Sequence, residues 1–397
     1  MQRSTTKDNS GPDQRRIAIL GSTGSIGKQA LEVVAESNGT LQPVLISAGH
    51  HVEPLSDQAQ AYNPERIVVI DPDHELPQAS GETGSTCQQW LSGEESQLQA
   101  IVQLDLDMVL NGITGAAGLR ASLATLEAGI DLALANKESL VTAGPLLRSV
   151  ADKTGARILP VDSEHGAILQ CIGDADLSSI ERIVLTASGG PFRGFTRQQI
   201  DQATPEQALD HPTWQMGSRI SVDSATLFNK VLEVIEAHEL FGTPPGGIEV
   251  VVHPQSIIHA IVEFQDGSCM AQLSEPDMKV PIRNALYRGQ RAQGNFQPLD
   301  LVGRGELTFE PIDAKIFPAL EIGAVAIENP GTTLGAVLNA ADEEAVAAFL
   351  RGDVGFFKIY DLIERALADH SPIQVENLDQ VIEADRETRE RVRSWTT

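Results

Sequence analysis

The sequence contains few cysteines, and they lack the spacing of a metal or redox site. Its three cysteines, Cys87, Cys171 and Cys269, form no Cys-x-x-Cys pair, which argues against a thiolate metal site and favours a reducing compartment. No uncharged apolar run approaches the roughly 18 residues of a membrane span. Residues 1–16 are polar and mixed in charge, which predicts neither a signal peptide nor a transit peptide. We therefore expect a cytoplasmic protein.

Positive charge is also scarce. The chain has 29 Lys and Arg residues against 55 Asp and Glu residues, a formal net charge of -26 at pH 7. A field of this sign repels nucleic acids and anionic membranes, so neither is an expected partner. A small anionic ligand would have to be held by local donors.

The first part of the chain alternates short apolar strands with helix-like segments. With 397 residues, two or three domains are expected. Alternation of this kind predicts an α/β fold with a parallel sheet, whose ligands collect beyond the carboxyl ends of the strands. We predict a Rossmann-like NADP-binding domain over residues 16–160, with strands at residues 16–20, 44–47, 66–70, 108–110, 131–135 and 157–159.

A glycine turn follows the first strand. Gly21, Gly24 and Gly27 have the spacing Gly-x-x-Gly-x-x-Gly between a strand and a helical pattern. Glycines let the backbone approach a pyrophosphate, and the helix N-terminus offers free N–H groups and a positive dipole end. The turn favours dinucleotide binding over the alternative, a purely structural connection between strand and helix.

The second strand leads to Gly49, His50 and His51. An NAD enzyme usually carries an acid at this tip to bind the ribose hydroxyls, and none stands about 20 residues after the glycine turn. This absence favours NADP. The two histidines either donate to a 2′-phosphate or are neutral surface residues.

Two carboxylates follow the last predicted strand of this domain. Asp162 and Glu164 would point to the same side of an extended chain. Such a pair repels unless a cation or proton lies between the carboxylates, and oxygen ligands suit Mg²⁺ or Mn²⁺. Glu233 offers a third ligand, because a helix would place Asn229 and Lys230 on its face. The alternative is that Asp162 and Glu164 are solvated loop acids.

Three segments after residue 180 carry further polar groups. Ser188 precedes two glycines whose N–H groups would cradle a phosphate, or it belongs to a tight structural turn. The loop at residues 211–217 contains Trp214 and Met216, which suits either a lid over a site or a loop packed in the core. Ser224 precedes the predicted helix of Glu233 and is a candidate N-cap.

Two histidines interrupt a β-rich segment at residues 248–264. We interpret His253 and His259 as hydrogen-bonded structural residues rather than metal ligands, because the three acids already form a hard oxygen site. We predict an α+β catalytic domain with a flexible lid loop, then a linker, then a helical domain with four helices. Their bounds are residues 161–286, 287–312 and 313–397, with helices at residues 318–327, 333–349, 356–367 and 377–392.

These motifs, in this order, resemble the 1-deoxy-D-xylulose 5-phosphate reductoisomerase family over residues 16–390. The family's chemistry would be an NADPH-dependent isomerisation followed by hydride transfer, giving 2-C-methyl-D-erythritol 4-phosphate in non-mevalonate isoprenoid biosynthesis. The motifs that carry the resemblance are Gly21-Ser22-Thr23-Gly24-Ser25-Ile26-Gly27, Asn136-Lys137-Glu138-Ser139, Asp162-Ser163-Glu164-His165, Ala187-Ser188-Gly189-Gly190-Pro191-Phe192, His211-Pro212, Asp223-Ser224-Ala225-Thr226, Asn229-Lys230 and His253-Pro254-Gln255-Ser256.

The resemblance implies a role for each matching residue and a homodimer. It implies a divalent Mg²⁺, Mn²⁺ or Co²⁺ ion on Asp162, Glu164 and Glu233, with Lys137 also catalytic. The substrate phosphate would be held by Ser188, Ser224, Asn229 and Lys230, and the rest of the phosphorylated sugar would contact Lys137, Ser163, Glu164, His211, Trp214 and Glu233. NADPH would contact Thr23, Gly24, Ser25, Ile26, Gly49, Asn136, Glu138 and Gly217. To these we add His50 and His51 at the ribose end, because of their position after the second strand and not because of the resemblance.

The sequence departs from the family pattern at a few positions. His50 and His51 replace Lys or Ser followed by Asn, Thr213 and Gln215 replace Asn and Ser in the lid, and Val231 replaces Gly. None of these changes removes an implied ligand. Two other functions remain open: an NADP-dependent dehydrogenase that leaves the carbon skeleton intact, and a catalytically silent NADP-binding protein.

Overall fold

The computed structural model describes residues 14–73 and 88–396. The tail up to residue 13 and Cys87, both considered above, lie outside these residues. Seven strands form a sheet in the order β4-β3-β2-β1-β5-β6-β7, and every neighbouring pair is parallel. The strands are β1 (Arg15–Leu20), β2 (Leu41–Ala48), β3 (Arg66–Val69), β4 (Gln89–Ser92), β5 (Met108–Asn111), β6 (Asp131–Leu134) and β7 (Ile158–Pro160).

The strand order reverses between β1 and β5, which pair from Ile17 with Met108 to Leu20 with Asn111. All four residues of β5 are buried, as expected for a strand covered on both faces. A ligand of such a sheet binds where the strand order reverses. Helices cover both faces: α1 (Ser25–Ala35), α2 (Val52–Tyr62), α3 (Glu94–Gln103), α4 (Leu119–Glu127), α5 (Lys137–Thr154) and the short 3₁₀ helix Ala116–Gly118.

Strand β4 was not predicted. Its sequence, Gln-Trp-Leu-Ser, is short and polar at both ends, and its residues are only partly buried or exposed. It pairs with β3 at the edge of the sheet, where one side needs no strand partner. Neither the composition nor the alternation of these four residues indicates a strand.

A second sheet of four strands has the order β11-β10-β8-β9. Only β8 and β9 are parallel, and β11, which was not predicted, pairs antiparallel with β10. The strands are β8 (Ile180–Ala187), β9 (Ile248–Val252), β10 (Ile258–Phe264) and β11 (Cys269–Leu273). The helices around them are α6 (Ser163–Ile172), α7 (Arg197–Ile200), α8 (Pro205–Leu209), α9 (Ser218–Thr226), α10 (Phe228–Phe241), α11 (Lys279–Leu286) and α12 (Leu301–Arg304), with 3₁₀ helices Leu177–Ser179 and Pro245–Gly247.

The expectation that Ser224 caps the helix of Glu233 is wrong. Ser224 lies inside α9, and the residue before α10 is Leu227, in the left-handed region with φ 65°. The hydroxyl of Thr226 accepts from the N–H of Phe228 over 3.3 Å, and the two helices meet at Leu227. The backbone strain at Leu227 is of order 1 kcal/mol or more and has to be offset by packing, and Leu227 is indeed buried.

The four C-terminal helices are confirmed to within a few residues. Their buried stripes pack against α5, α9 and α10 in the largest apolar cluster, which includes Phe228, Phe349 and Phe356. Burying one such aromatic ring contributes about 1.5–3 kcal/mol. In the part of the chain described, no helix is both long and apolar enough to cross a bilayer. The helices are α13 (Ala319–Ile327), α14 (Leu334–Leu350), α15 (Phe356–Ala368) and α16 (Leu378–Thr396).

Candidate active site

The glycine turn lies at the reversal of strand order. Gly21 has φ 72°, and a Cβ there would lie 2.8 Å from the carbonyl oxygen of Gly112. A Cβ on Gly27 would lie 2.3 Å from Cα of Ser22. Only glycine fits at these two positions, so the turn brings α1 close against β1, with its first N–H groups free to bind an anion. The candidate cofactor residues Thr23, Gly24, Ser25 and Ile26 form this turn and the start of α1.

A carboxylate does lie beside the end of β2, where an NAD enzyme usually binds the ribose hydroxyls. It belongs to a residue that follows the neighbouring strand, β3. His50 and His51 follow β2 and are exposed. The backbone N–H of Asp71, just after β3, donates to the carbonyl of Gly49 over 3.2 Å. A carboxylate oxygen of Asp71 lies 3.4 Å from Nδ1 of His50. A search limited to the residues after β2 missed this acid, because strand pairing places it there.

Asp162 and Glu164 converge through a helix terminus and not through an extended strand. Asp162 is the N-cap of α6 and accepts a hydrogen bond from the N–H of Ser163 over 2.8 Å. Glu164 lies in the first turn of α6, and the Ser163 hydroxyl donates to it. The extended-chain argument for these two residues is therefore wrong, although both carboxylates lie at the carboxyl end of β7.

Glu233 completes a group of three carboxylates. It lies on α10, is 1% exposed, and has Asn229 and Lys230 on the same face. Ligand oxygens of Asp162, Glu164 and Glu233 all lie within 4.8 Å of one another. Among the residues described, a second group of this kind combines Asp162 with His165 and Glu236, and its other two side chains are completely buried.

Two lysines lie between these carboxylates. Lys137, the first residue of α5, pairs with Asp162 and lies 3.2 Å from Glu233 Oε1, while Lys230 pairs with Glu164 and lies 2.5 Å from Glu233 Oε2. Both ammonium groups are almost fully buried. We call Asp162, Glu164, Glu233, Lys137 and Lys230 the carboxylate–lysine cluster.

The charges of the cluster shift its pKa values in opposite directions. Although burial opposes it, the Lys137 ammonium holds the pKa of Asp162 below its usual range. Burial and the neighbouring Glu164 carboxylate raise the pKa of Glu233 to about 7. Burial would lower the pKa of Lys137, but Asp162 and Glu233 hold it well above the usual value. Lys137 is therefore a permanent cation at neutral pH.

The donor set of the cluster fits a divalent cation. Three carboxylates against two ammonium groups leave one negative charge when all five groups are ionised. Carboxylate oxygens are the ligands that Mg²⁺ and Mn²⁺ prefer. Asp162 and Glu164 retain 14% and 13% side-chain exposure, so an ion can reach them, whereas His165 and Glu236 retain none.

Ser188 and His211 are hydrogen-bonded to each other. Nδ1 of His211 accepts from the backbone N–H groups of Thr213 and Trp214, over 3.2 and 3.0 Å. Nε2 therefore carries the proton and donates to the Ser188 hydroxyl over 2.9 Å. Burial and the Lys230 ammonium lower the pKa of His211 to about 4, which keeps the imidazole neutral.

The glycines after Ser188 bring α9 to the same place. Gly190 has φ 66°, and a Cβ there would lie 2.8 Å from the carbonyl oxygen of Ser224. The close approach brings the Ser224 backbone against Gly190, two residues after Ser188. The Trp214 ring lies 6.1 Å from the ring of His259, which in turn bonds the hydroxyl of Ser274.

Asn136 and Glu138 flank Lys137, but their side chains contact the backbone after β5 and not the carboxylate–lysine cluster. The Asn136 amide donates to the carbonyls of Ile113 and Gly115, each over 2.8 Å. Glu138 accepts from the N–H of Gly115 over 3.1 Å. Both side chains thus hold the backbone after β5, beside the glycine turn. Gly217, the N-cap of α9, is exposed, and its carbonyl accepts from the backbone N–H and the hydroxyl of Ser221 in α9.

Several buried polar residues around the site were not found from the sequence. Nδ1 of His165 lies 3.3 Å from Glu236 Oε2, one helical turn beyond Glu233. Arg219 binds acids from three helices. Apart from Asp223, four residues after Arg219, their partners lie far away in the sequence, so local spacing does not identify them. His253 bonds the Thr308 carbonyl over 2.9 Å, in keeping with its interpretation as a structural residue.

Acid is expected to destabilise the fold through His165. Burial lowers the pKa of His165 to about 4, while an unfolded histidine titrates near 6.5. Between these values the unfolded chain binds the extra proton, so the free energy of unfolding falls by about 2 kcal/mol from pH 7.5 to pH 5 on this account. His165→Gln keeps a donor for the carbonyl of Glu233 and should remove this part of the slope. Thermal melts of both proteins in EDTA over that range measure it, and parallel pH profiles would contradict it.

Three family models match the chain. The model described as 1-deoxy-D-xylulose 5-phosphate reductoisomerase matches residues 17–144, the model of that enzyme's C-terminal domain matches residues 158–241, and a model described as DXP reductoisomerase C-terminal domain matches residues 273–391. Together they span most of the first sheet, strand β8 and the C-terminal helices, while β9 and β10 lie between the matched ranges.

Individual relatives match over nearly the whole length. The 1-deoxy-D-xylulose 5-phosphate reductoisomerase of Symbiobacterium thermophilum is 46% identical over 383 residues, covering 96% of this chain and 98% of the relative. That of Xanthomonas campestris pv. campestris is 45% identical over 382 residues, covering 96% of each chain.

Solved structures of similar proteins share the fold. The enzyme from Zymomonas mobilis in complex with NADPH superimposes with a TM-score of 0.88 at 38% identity, covering 96% of this chain and 99% of that one. A DOX-P reductoisomerase in complex with NADPH, fosmidomycin and magnesium gives a TM-score of 0.91 at 36% identity, covering 96% and 98%.

Proposed function

The chain belongs to the 1-deoxy-D-xylulose 5-phosphate reductoisomerase family, and we propose that the carboxylate–lysine cluster is where it performs the family's reaction. It converts 1-deoxy-D-xylulose 5-phosphate to 2-C-methyl-D-erythritol 4-phosphate with NADPH and a divalent cation, in non-mevalonate isoprenoid biosynthesis. The observation that carries the assignment of the site is the convergence of Asp162, Glu164 and Glu233 within 4.8 Å.

The carboxylates and Lys137 are proposed to have different roles in the reaction. The cation supplies Lewis acidity and NADPH the hydride when they are bound. The divalent ion, Mg²⁺, Mn²⁺ or Co²⁺, would be held by Asp162, Glu164 and Glu233. Lys137 holds its proton at Nζ, 3.0 Å from Asn229 Oδ1, so it would stabilise negative charge on the substrate and does not act as a base.

The phosphate of the substrate is proposed to bind beside this cluster. Ser188, Ser224 and Asn229 offer hydroxyl and amide donors, and the buried Lys230 offers positive charge in an acidic protein. The N–H groups that follow Ser188 add backbone donors. Ser163 and His211 would contact the rest of the sugar. His211 is neutral and donates from Nε2, which suits a hydroxyl ligand.

The loop at residues 211–217 is proposed to be a lid. It connects α8 to α9 without helix or strand, and it carries Trp214, whose ring faces His259. Closure over the sugar would exclude water from the reacting carbons.

The residues beside the end of β2 predict which nicotinamide cofactor the enzyme prefers. We expect NADPH to be preferred to NADH, with His50 separating the 2′-phosphate from Asp71. Asp71→Asn removes a negative charge from that phosphate and a carboxylate partner from a ribose hydroxyl. The ratio of kcat/KM for NADPH to that for NADH should rise about fivefold, because exposed charge pairs are worth up to about 1 kcal/mol. Asp73→Asn, two residues along, is the control. An unchanged ratio in Asp71→Asn would exclude this role.

The organisation of the whole molecule is also a proposal. We infer a cofactor domain at residues 16–160, a catalytic domain at 161–286, a linker at 287–312 and a helical domain at 313–397. We also infer a cytoplasmic homodimer. The outer edge of β11 supports pairing with a second copy, because Met270 on this edge strand is 51% exposed and such edges bind other strands. Light scattering of the purified protein tests the dimer.

The test of the proposed function is NADPH oxidation with 1-deoxy-D-xylulose 5-phosphate, with EDTA and then with Mg²⁺ or Mn²⁺ restored. Metal-dependent oxidation with a branched polyol phosphate as product is expected. An unbranched product would indicate a simple dehydrogenase. NADPH binding without oxidation would indicate a silent binding protein. Either outcome overturns the proposal.

A further inference from the structure

Arg219 connects three parts of the molecule and has no part in the site described so far. It lies in the first turn of α9, two residues after Gly217, and its side chain is 13% exposed. Its guanidinium binds side chains from α5, α9 and α14. The contacts are Glu138 Oε1 at 2.7 Å, Asn339 Oδ1 at 2.8 Å, Asp342 Oδ2 and Glu343 Oε1 at 3.1 Å, and Asp223 Oδ2 at 3.4 Å.

Two of these acids hold the backbone at the cofactor edge. Glu138 Oε1 accepts from the N–H of Gly115 over 3.1 Å, and Glu343 Oε1 accepts from the N–H of Ala116 over 2.9 Å. These residues follow β5, where Gly112 lies against the glycine turn. The same oxygens bind Nη1 of Arg219, so the guanidinium fixes the carboxylates that fix this backbone.

The other side of Arg219 is the end of the proposed lid. The loop at residues 211–217 enters α9 at Gly217, and the Ser221 hydroxyl donates to the Gly217 carbonyl over 3.0 Å. Arg219 ties this first turn of α9 to α5 and α14 through charged hydrogen bonds. A movement of the loop end at Gly217 and a movement of the backbone at Gly115 and Ala116 would therefore both displace the Arg219 side chain.

The planar fork of arginine is needed for this arrangement. Arg219 donates from two terminal nitrogens to four acceptors while Nε lies beside Asp223. A lysine ammonium is a point charge that cannot span acceptors on both sides. Four carboxylates around one cation also favour a single fixed position of the guanidinium.

We propose that Arg219 is a positioning residue that couples cofactor binding at residues 113–116 to closure of the loop at residues 211–217. This inference rests on the proposed function, which uses NADPH and makes the loop a lid; residues 113–116 lie beside the glycine turn, the candidate cofactor site. When cofactor fixes the backbone of Gly115 and Ala116, the shared guanidinium favours one position of α9. Substrate then binds to a lid that is already oriented.

The test compares the affinity for 1-deoxy-D-xylulose 5-phosphate with and without NADP⁺, by calorimetry in the presence of Mg²⁺. NADP⁺ should tighten substrate binding about tenfold in the natural protein, a typical coupling. In Arg219→Lys this factor should fall to about one. Arg182→Lys is the matched control, because Arg182 also binds carboxylates, those of Glu249 and Glu263, but on the second sheet. It should keep the coupling.

The outcomes separate the two proposals. The inference would be overturned if NADP⁺ tightened substrate binding by the same factor in the natural protein and in Arg219→Lys. It would also be overturned if NADP⁺ did not tighten substrate binding in the natural protein. Neither result would affect metal-dependent turnover. Absence of turnover in the natural protein would overturn the function instead. Should Arg219→Lys not fold, Asn339→Ser removes one neutral acceptor of Arg219 and should lower the coupling factor partially. An unchanged factor in that variant would also count against the inference.

Discussion

Glu233→Gln is expected to lower the NADPH-dependent turnover of 1-deoxy-D-xylulose 5-phosphate about a thousandfold while the protein stays folded. The substitution keeps the shape of the side chain and removes one of three carboxylate charges from the proposed ion site. Metal catalysis of this kind contributes several kcal/mol, and about 4 kcal/mol corresponds to three orders of magnitude in rate. Part of the loss should be recovered at high Mn²⁺, because the remaining carboxylates of Asp162 and Glu164 still bind an ion weakly.

Glu239→Gln is the matched control for this substitution. Glu239 lies on the same helix, is also 1% exposed, and pairs with Arg148 at 2.8 Å, away from the cluster. Its variant should lose stability and keep the metal dependence of turnover. The measurement is kcat against metal concentration for both variants, with circular dichroism to establish the fold. Near-normal turnover of Glu233→Gln at limiting metal would remove Glu233 from the ligand set.

Lys137→Gln is expected to lower kcat about a hundredfold, the lower end of the range for loss of one group that stabilises developing charge. Lys137 keeps its proton because Asp162 and Glu233 surround it, and Gln cannot supply that charge to the substrate. Loss of a buried cation also leaves carboxylates unpaired, which costs about 3 kcal/mol of stability in the metal-free protein. Added Mg²⁺ should restore part of that stability but not the rate.

This difference between rate and stability distinguishes a catalytic lysine from a merely structural one. Lys279→Gln serves as the control, since Lys279 is 20% exposed and pairs with Glu32 and Glu36 at 3.5 and 3.9 Å. Rates at saturating substrate and melting temperatures with and without Mg²⁺ are compared. A kcat within twofold of the natural protein would show that Lys137 only balances charge.

The regular elements of the fold could be predicted where local pattern and tertiary environment agree. The strand at β1, the glycine turn and the helix α1 follow from apolar runs and from positions that only glycine can occupy. The C-terminal helices follow from their apolar periodicity. Strands β4 and β11 were missed, because each lies at a sheet edge with one side exposed, and their sequences need no buried alternation.

The residues of the candidate site could be named from the sequence, but the reasons were only partly right. Asp162 and Glu164 meet because α6 begins between them and not because the chain is extended. Asp71 and Arg219 were not found, since strand pairing and helix packing bring their partners from distant parts of the chain. A side chain whose partners are distant in the sequence produces no local sequence pattern from which its role could be predicted.

The proposed ion site joins segments that are distant in the sequence. Asp162 and Glu164 start α6, while Glu233 lies on α10, after β8 and the helices α7, α8 and α9, so an unfolded protein cannot present all three oxygens to one ion. An ion that binds only the native state shifts the folding equilibrium, by about 2.7 kcal/mol at a concentration one hundred times its Kd. Melting curves recorded across a metal titration therefore report ion affinity without any turnover, even for variants that have lost all catalysis.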